Sequence, residues 1–197
     1  MVEGRTIIPL TFESWDAYFI VFKDKTTAKT YIQPAKTAAT LTTISTPWKI
    51  TFPIQGRDVT SDVSTLESWT NNTNVDIKYF SGTAVYNNTF KINTPIGGKG
   101  AYEIDLGDVK NIAEVIINGK NVGTAWKKPF KLDISEAIKA GENSIEVKVT
   151  NLWVNRLIGD AQPNAKKTTF VTMPFYRGKE PLLPSGLLGE VKLIQVK

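Results

Sequence analysis

Apolar and polar residues alternate along much of this chain with the two-residue period of β-strands. From residue 143 to residue 152, the apolar Ile145, Val147 and Val149 alternate with polar residues. Because successive side chains of a strand point to opposite faces, this pattern predicts a strand with one buried face. Similar patterns predict further strands at residues 7–10, 18–22, 48–52, 84–92, 102–106, 113–117 and 190–196.

Turn signals separate these segments and favour antiparallel pairing. Asn118-Gly119 lies between two apolar runs, and this dipeptide is typical of a two-residue β-hairpin. Further chain reversals are predicted at Gly97-Gly98 and at residues 141–143. The connection at residues 97–100 is interpreted as a hairpin. Only residues 64–69 and 133–139 have the pattern of short helices. The chain is therefore predicted to be all-β, an antiparallel β-sandwich with one or two very short helices.

A change in composition divides the chain into three parts. Residues 26–46 are rich in Thr and Ala with few large apolar side chains, which predicts a connector with at most one short strand. Residues 1–25 carry two predicted strands but no core of their own, so they are predicted to be a β-hairpin or the tail of a preceding domain. Residues 47–197 are predicted to form the sandwich.

The composition removes several classes of chemistry. The 197 residues include no cysteine and no histidine. Disulfides, thiol nucleophiles, cysteine-based zinc sites, Ser-His-Asp triads and imidazole acid–base catalysis are therefore excluded. Carboxylates, lysine, tyrosine and oxygen ligands for hard cations remain.

The charge pattern gives no sign of a nucleic-acid or membrane partner. The formal net charge is +5, but the longest basic runs are the pairs Lys127-Lys128 and Lys166-Lys167, whereas a nucleic-acid binder concentrates such charge in a stripe. No apolar stretch approaches the roughly 20 residues that span a membrane. The first five residues lack the pattern of a signal peptide, so the chain is expected to be either cytoplasmic or cut from a longer protein.

Several motifs occur in a characteristic order between residues 79 and 189. They are Asp-Leu-Gly-Asp-Val at 105–109, Ala-Glu-Val-Ile-Ile-Asn-Gly-Lys-Asn-Val-Gly at 113–123, Asn-Leu-Trp-Val-Asn-Arg-Leu-Ile-Gly-Asp at 151–160 and Pro-Ser-Gly-Leu-Leu-Gly at 184–189, with Tyr-Phe-Ser-Gly-Thr-Ala-Val-Tyr at 79–86. In this order they resemble the galactose-binding-like domains of bacterial glycoside hydrolases. The resemblance covers residues 47–197. It points to the C-terminal sandwich of the α-L-rhamnosidase-like family 106 and to the related sugar-binding domain of family 2.

The resemblance implies a galactose-binding-like jelly roll that is not itself an enzyme. In such hydrolases the catalytic carboxylates lie in a separate α/β-barrel domain, which this chain lacks. The implied partners are the catalytic domain of the same parent chain and a plant or microbial glycan of the kind that polysaccharide-degrading enzymes meet. The parent is expected in the periplasm or outside the cell. No cofactor is expected, and Asp105 and Asp108 leave calcium open beside the simpler interpretation of turn chemistry.

Five residues are candidate carbohydrate contacts. A sugar packs its C–H face on aromatic rings, and its hydroxyl groups pair with amide, carboxylate and guanidinium groups. Trp153, Asn155, Arg156 and Asp160 provide all of these within eight positions, and Trp126 lies in a polar loop.

The alternative interpretation of this cluster is structural. In that case Trp153 packs the end of the sandwich and Arg156 pairs with Asp160 to hold the loop. A second candidate edge lies at the asparagine-rich residues 71–74, which Trp69 and Tyr79 flank.

Three functions therefore compete. The first is a non-catalytic accessory module that supports a glycoside hydrolase and contacts carbohydrate, and the second is an independent carbohydrate-binding module with its own affinity. The third is a glycosidase that uses two carboxylates about 5 to 10 Å apart, drawn from Glu103, Asp105, Glu114 and Asp160. Because most of these carboxylates lie on alternating strand faces where solvent is the default environment, the third function is the least favoured.

Overall fold

The regular structure of the described residues consists of twelve strands and three short helical segments. The computed structural model describes residues 6–32, 35–93, 96–97 and 100–197. The strands are β1 (Ala38–Thr43), β2 (Trp48–Ile54), β3 (Arg57–Val63), β4 (Thr83–Ile92), β5 (Ala101–Asp105), β6 (Val109–Lys110), β7 (Ile112–Ile117), β8 (Lys120–Ala125), β9 (Lys131–Asp133), β10 (Gly141–Thr150), β11 (Gly186–Leu187) and β12 (Lys192–Val196). The helical segments are a 3₁₀ helix (Trp69–Asn71), α1 (Val75–Lys78) and α2 (Val154–Asp160).

The strands form antiparallel sheets around one core. The larger sheet has the order β3-β2-β4-β10-β7-β8, and the four-stranded sheet has the order β1-β12-β5-β9. β6 and β11 form a separate two-stranded pair. Buried residues from both main sheets belong to a single hydrophobic cluster. The predicted all-β sandwich is therefore confirmed.

β10 is a central strand of the larger sheet, and its alternation is as predicted. It pairs along its whole length with β4 and along its second half with β7. Ile145, Val147 and Val149 are buried, whereas the alternating Glu146 and Lys148 lie at the surface. The two-residue alternation in the sequence thus correctly predicts which side chains of this strand face the core.

The hairpin predicted at Asn118-Gly119 joins β7 and β8. Both residues have positive φ, 51° and 79°, as a type I′ turn requires. The Asn118 amide also donates to the carbonyl of Ala137 and to Oδ1 of Asn143, while its Oδ1 accepts from the amide of Ser144. This side chain therefore ties the turn to the start of β10 as well as permitting its conformation.

Residues 7–10 and 18–22 do not form the predicted strands. The described part of this region, residues 6–32, contains no strand, and most of its apolar side chains are exposed. β1 lies in the predicted connector and pairs with β12 as an edge of the four-stranded sheet. The division at residues 25 and 46 stays a prediction.

Other local predictions need correction. Asp133 ends β9 and residues 135–137 form a turn, so residues 133–139 do not form the predicted helix. Only the end of residues 64–69 is helical, as the start of the 3₁₀ segment. β4 and β5, the strands on either side of the connection at residues 97–100, belong to different sheets and do not pair as the predicted hairpin requires. Gly98 and Lys99 of that connection, and the first five residues, lie outside the described residues. Within the described ranges, no helix is long and apolar enough to cross a bilayer.

Candidate functional site

The turn from β10 into α2 positions the predicted contact residues at one end of the sandwich. Asn151, the first residue after β10, is buried, and its Nδ2 donates to the carbonyl of Phe80 at 2.9 Å and to Oγ of Ser185 at 3.1 Å. Its Oδ1 accepts from the amide of Gly82 at 3.0 Å. Trp153 caps α2, and its indole is 64% exposed. The ring is thus available to a ligand on a rigidly anchored turn.

Asn155 is buried and fully engaged by the protein. It is 2% exposed. Its Nδ2 donates to the carbonyl of Leu183 at 2.7 Å and to Oγ of Ser185 at 2.9 Å, and its Oδ1 accepts from the amide of Leu183 at 2.8 Å. The amide therefore fastens residues 183–185 to α2. Both of its N–H donors are used, and at 2% exposure the side chain is not accessible to a sugar hydroxyl in this conformation.

Arg156 and Asp160 form the ion pair of the structural interpretation. Nη2 of Arg156 lies 2.8 Å from Oδ1 of Asp160, one helical turn away. Asp160 is 6% exposed. It also accepts hydrogen bonds from the backbone amides and hydroxyls of Thr168 and Thr169. This carboxylate therefore holds the loop that follows α2 against the helix.

The electrostatics of Asp160 follow from these contacts. Burial alone would raise the pKa of this carboxyl, but the Thr169 hydroxyl, the amides of Thr169 and Thr168 and the charge of Arg156 together hold it below its ordinary value. An aspartate with a lowered folded-state pKa adds stability above its unfolded pKa of about 3.9. That stability is lost as the pH falls through the folded-state value.

Replacing Asp160 with asparagine is expected to release the loop at residues 161–176 and to lower the free energy of unfolding by about 1–3 kcal/mol at pH 7, because charge-assisted hydrogen bonds are lost. Urea denaturation measures the change, and proteolysis locates the released loop. Since wild-type Asp160 also loses its charge in acid, the difference between the two proteins should shrink below about pH 4. A difference that is independent of pH would contradict this role. Asp58→Asn, at an exposed position with no ion pair among the described residues, is the matched control.

Trp126 is also exposed. It follows β8, and its side chain is 63% exposed. In the described part of the chain, no hydrogen bond, ion pair or ring contact joins it to α2. The structure thus brings Asn155, Arg156 and Asp160 together, with Trp153 preceding them. Ala125 pairs with Ala113, which pairs with Val149, so Trp126 follows β8 at the same end of the larger sheet at which β10 leads to Trp153. The carbohydrate role of the five residues stays a prediction, with the two indoles as its exposed members.

The neighbour of Trp126 holds the amino-terminal region against the sandwich. Nζ of Lys127 lies 2.5 Å from Oδ1 of Asp16. The hydrogen bond from Lys127, with those from the Glu13 amide and the Tyr18 hydroxyl, lowers the pKa of Asp16 to about 2. Asp16 in turn raises the pKa of Tyr18. Asp16 is therefore ionised throughout the neutral pH range.

An apolar cavity of about 350 Å³ beside Asp160 was not predicted from the sequence. It lies between α2 and residues 167–176, and three large side chains along it, Phe170, Met173 and Phe175, are largely exposed. The sequence feature that could have indicated this cavity is the cluster of apolar residues at 170–176, which has neither strand nor helix periodicity. Exposed apolar surface of this kind is typical of interaction sites.

Trp69 of the second candidate edge and the two aspartates considered for calcium, Asp105 and Asp108, have partners within the protein. Trp69 is buried, and its Nε1 donates to the hydroxyl of Tyr86, so its ring offers no exposed platform. Oδ1 of Asp105 accepts from the amide of Gly107, and Asp108 pairs with Lys110 at 2.7 Å, as turn chemistry predicts. No group of three or more acidic, histidine or cysteine side chains suited to a metal occurs in the described residues.

Most of the carboxylates proposed for a glycosidase are bound to cations of the protein. Three of them are bound to different cations: Asp105 to Lys131 at 3.5 Å, Glu114 to Lys148 at 3.1 Å and Asp160 to Arg156. A glycosidase needs two carboxylates that face one substrate. The arrangement of these side chains therefore suits surface and structural ion pairs.

Comparison with known proteins identifies the domain type. The family model of the glycosyl hydrolases family 2, sugar binding domain, matches residues 18–177. A protein of Formosa agariphila described as a putative beta-glucuronidase is 41% identical over 201 residues, covering 85% of this chain and 16% of that protein.

Solved structures extend this likeness to the fold. The rhamnosidase from Novosphingobium sp. PP1Y superposes with a TM-score of 0.80 at 37% identity, over 86% of this chain and 16% of that one. The beta-D-glucuronidase of Dictyoglomus thermophilum, at 18% identity and a TM-score of 0.55, shares the fold over 84% of this chain and 29% of its own. This chain thus spans about one sixth of the length of its two more similar relatives.

Proposed function

Because this chain belongs to the sugar-binding domains of the glycosyl hydrolases of family 2, we propose that it is a non-catalytic β-sandwich module of a larger glycoside hydrolase. The family is a sugar-binding domain and not a catalytic one. The module would support the catalytic domain of the same parent chain and contact a plant or microbial glycan. The proposed location of the parent is the periplasm or the cell exterior.

The exposed apolar surface of residues 6–32 is the observation that carries this proposal. Residues such as Trp15, Phe19 and Phe22 are largely exposed, and the region has no strand partner within the described structure. Exposed apolar surface of this extent is unfavourable in water and marks a surface that another protein element covers. The relatives are several times longer than this chain, so the rest of the parent chain is the covering element that we propose.

The anchoring contacts explain how this surface is presented. Asp16 fixes the turn at residues 13–16 to Lys127 on the sandwich, and the ring of Phe12 packs edge-on against Tyr18 at 5.0 Å. We propose that residues 1–25 are the tail of a preceding domain, that residues 26–46 are the connector, and that residues 47–197 are the sandwich. β1 is then the strand through which the connector joins the sheet.

Hydrogen exchange of the isolated chain and of the longer enzyme that contains it tests the proposal. Amides of residues 6–32 and 164–176 are expected to exchange quickly in the isolated chain and at least about tenfold more slowly in the longer enzyme, because burial closes their access to water. Amides of β10, which are paired on both sides, should exchange slowly in both. Equal exchange of residues 6–32 in the two proteins would contradict a docking role.

The exposed indoles favour a second candidate, an independent carbohydrate-binding module. Trp126 and Trp153 are both accessible, and exposed indoles are the rings on which sugars pack. This candidate requires that the isolated chain bind saccharide by itself, and that Trp126→Ala or Trp153→Ala weaken that binding. The supporting module requires neither result.

A further inference from the structure

One end of the larger sheet carries a cluster of exposed apolar side chains. The register places the ends of β8 and β10 beside the starts of β4 and β7. The residues at these strand ends include four exposed apolar side chains, Ile112, Trp126, Leu152 and Trp153. Because neighbouring strands lie about 5 Å apart, these side chains leave the sheet close together.

The loop after α2 extends this surface. α2 stays at the same end of the sheet, because Gly159 packs so closely on Tyr79, just before β4, that a Cβ atom on Gly159 would lie 2.6 Å from Cβ of Tyr79. Asp160 anchors the loop through its hydrogen bonds, and Nε2 of Gln162 donates to the carbonyl of Gly178 at 2.8 Å. Between these anchors, three apolar side chains are more than 80% exposed, namely Phe170, Met173 and Phe175. This loop, residues 161–178, and the four strand-end residues form the apolar end of the sandwich.

The opposite end of the larger sheet has no comparable surface. It is formed by the end of β4, the turn at residues 118–119 and the start of β10. In the described part of these segments no large apolar side chain is exposed, and Ile92, Ile117 and Ile145 are all buried. Single exposed apolar residues are ordinary, but their concentration at one end of a fold is typical of an interaction surface.

The loop of the apolar end is rich in cations that the module leaves unpaired. Between residues 161 and 183 there are four basic residues, Lys166, Lys167, Arg177 and Lys179, and one acidic residue, Glu180. None of the four forms an ion pair with a described residue. Unpaired cations beside an exposed apolar surface favour a partner whose own apolar surface has carboxylates around it.

We propose that the apolar end docks on an apolar, acid-rimmed face of the catalytic domain in the same parent chain. The proposal rests on the proposed function and adds to it the surface of the module and the chemistry of the partner. This chain covers 16% of each of its two more similar relatives, so most of such a parent is available to cover the surface. The indoles of Trp126 and Trp153 then pack on protein instead of sugar.

A second copy of the chain and a glycan are the competing occupants. Two copies that meet through this end would place the four cations of one copy against those of the other. A sugar needs polar partners for its hydroxyl groups beside the aromatic ring. Near Trp153, however, Asn155 and Asp160 are buried and bonded within the protein. The anchored loop and the indoles therefore fit an apolar protein surface better than either alternative.

Hydroxyl-radical footprinting read by mass spectrometry, on the isolated chain and on the longer enzyme that contains it, tests the surface. Trp126, Trp153 and Met173 are expected to be oxidised at least about fivefold more slowly in the longer enzyme, because the core of an interface excludes water. Trp48 and Trp69 are buried in the module itself and should resist oxidation in both proteins.

Carbodiimide cross-linking of the longer enzyme tests the charge of the partner, since it joins lysines to carboxylates in contact with them. Lys167 or Lys179 is expected to be joined to Asp or Glu residues of the catalytic domain. Lys91 is the matched control, because it is exposed and has no ion pair among the described residues but lies near the opposite end of the sheet. Cross-links from Lys91 alone would place the interface at that opposite end and overturn the proposal.

Phe170→Glu tests the apolar contact. In the isolated chain the midpoint of thermal unfolding should not change, because the side chain is 91% exposed. In the longer enzyme the charge is buried against an acidic partner, so oxidation of Trp153 should rise towards its rate in the isolated chain. Ser144→Glu introduces the same charge at an exposed position near the opposite end and should leave that oxidation unchanged.

Three results would overturn the docking surface. They are equal oxidation of the apolar end in the two proteins, protection of that end in an isolated chain that light scattering shows to be a dimer, and protection by added glycan without protection in the longer enzyme. If residues 6–32 exchange slowly in the longer enzyme while the apolar end stays oxidised, this surface alone is refuted. Equal exchange of residues 6–32 would instead contradict the docking role in the proposed function.

Discussion

Replacing Phe52 with alanine is expected to lower the free energy of unfolding by about 3–5 kcal/mol. Phe52 is 1% exposed, and its ring packs edge-on against Trp69 and Phe80, with centroids 5.3 Å away in each case. The change removes the transfer free energy of a buried ring and leaves a cavity between the two remaining aromatic rings, which also lose their pairing with Phe52. Urea denaturation followed by tryptophan fluorescence measures the loss.

Phe12→Ala is the matched control for this variant. Phe12 also makes an edge-on contact, with Tyr18 at 5.0 Å, but its side chain is 59% exposed. Because little surface returns to water, the expected change is within about 0.5 kcal/mol. Equal destabilisation by the two changes would show that residues 6–32 belong to the same cooperative core as the sandwich.

Replacing Gly186 with alanine is expected to be similarly severe, about 3–5 kcal/mol. A Cβ atom there would lie 2.6 Å from Nε1 of Trp69 and 2.8 Å from the hydroxyl of Tyr86. These two atoms are hydrogen-bonded to each other, and the same hydroxyl accepts from the amide of Leu187. The added methyl group therefore breaks a buried network, and the φ of +111° adds backbone strain.

Gly119→Ala separates the steric effect of the added methyl group from the effect of backbone strain. Gly119 has a φ of +79°, but a Cβ atom there would meet nothing within 4 Å. Only backbone strain of about 1–2 kcal/mol is expected. Chemical denaturation of both variants therefore gives the steric part as the difference, and similar values would show that Trp69 and Tyr86 move aside at little cost.

The network beside Gly186 also explains an electrostatic feature of the core. Burial raises the pKa of Tyr86 to about 12, although the hydrogen bonds from Leu187 and Trp69 act in the opposite direction. The hydroxyl therefore stays protonated at all physiological pH values. Tyr86 serves as an acceptor that joins β4 to the segment before β12.

The alternation of β10 could be predicted from the sequence because a half-buried strand repeats every two residues. The same logic failed at residues 7–10 and 18–22. An apolar run has the same appearance whether it pairs with a strand of its own chain or covers a surface elsewhere, and only the partner distinguishes the two. The local sequence pattern does not specify which segment or surface the apolar run will contact.

The candidate site could also be predicted only in part from the sequence. The i, i+4 spacing of Arg156 and Asp160 allowed the ion pair to be foreseen as the structural alternative, and the structure contains it. The burial of Asn155 depends on Leu183 and Ser185, which lie 28 and 30 residues further along the chain. Such contacts arise from the tertiary fold, and residue types at short spacing do not encode them.

A depression beside β3 was predicted in part. Asn71, Asn72 and Thr73, which line it together with Trp69, belong to the second candidate edge of the sequence analysis. Its remaining walls come from β3 and the residues before the 3₁₀ helix, and the local sequence pattern does not show that these segments meet.

β3 has a further consequence as the outer strand of the larger sheet. The free edge of a sheet exposes unpaired N–H and C=O groups, to which a strand of another molecule can add. β3 carries Arg57, Asp58 and Asp62 along its seven residues. Charged side chains on an outer strand oppose the addition of a second strand, because pairing would bury them or place like charges together. Concentrated solutions of this protein are thereby protected at this edge from the strand-by-strand growth that produces fibrils.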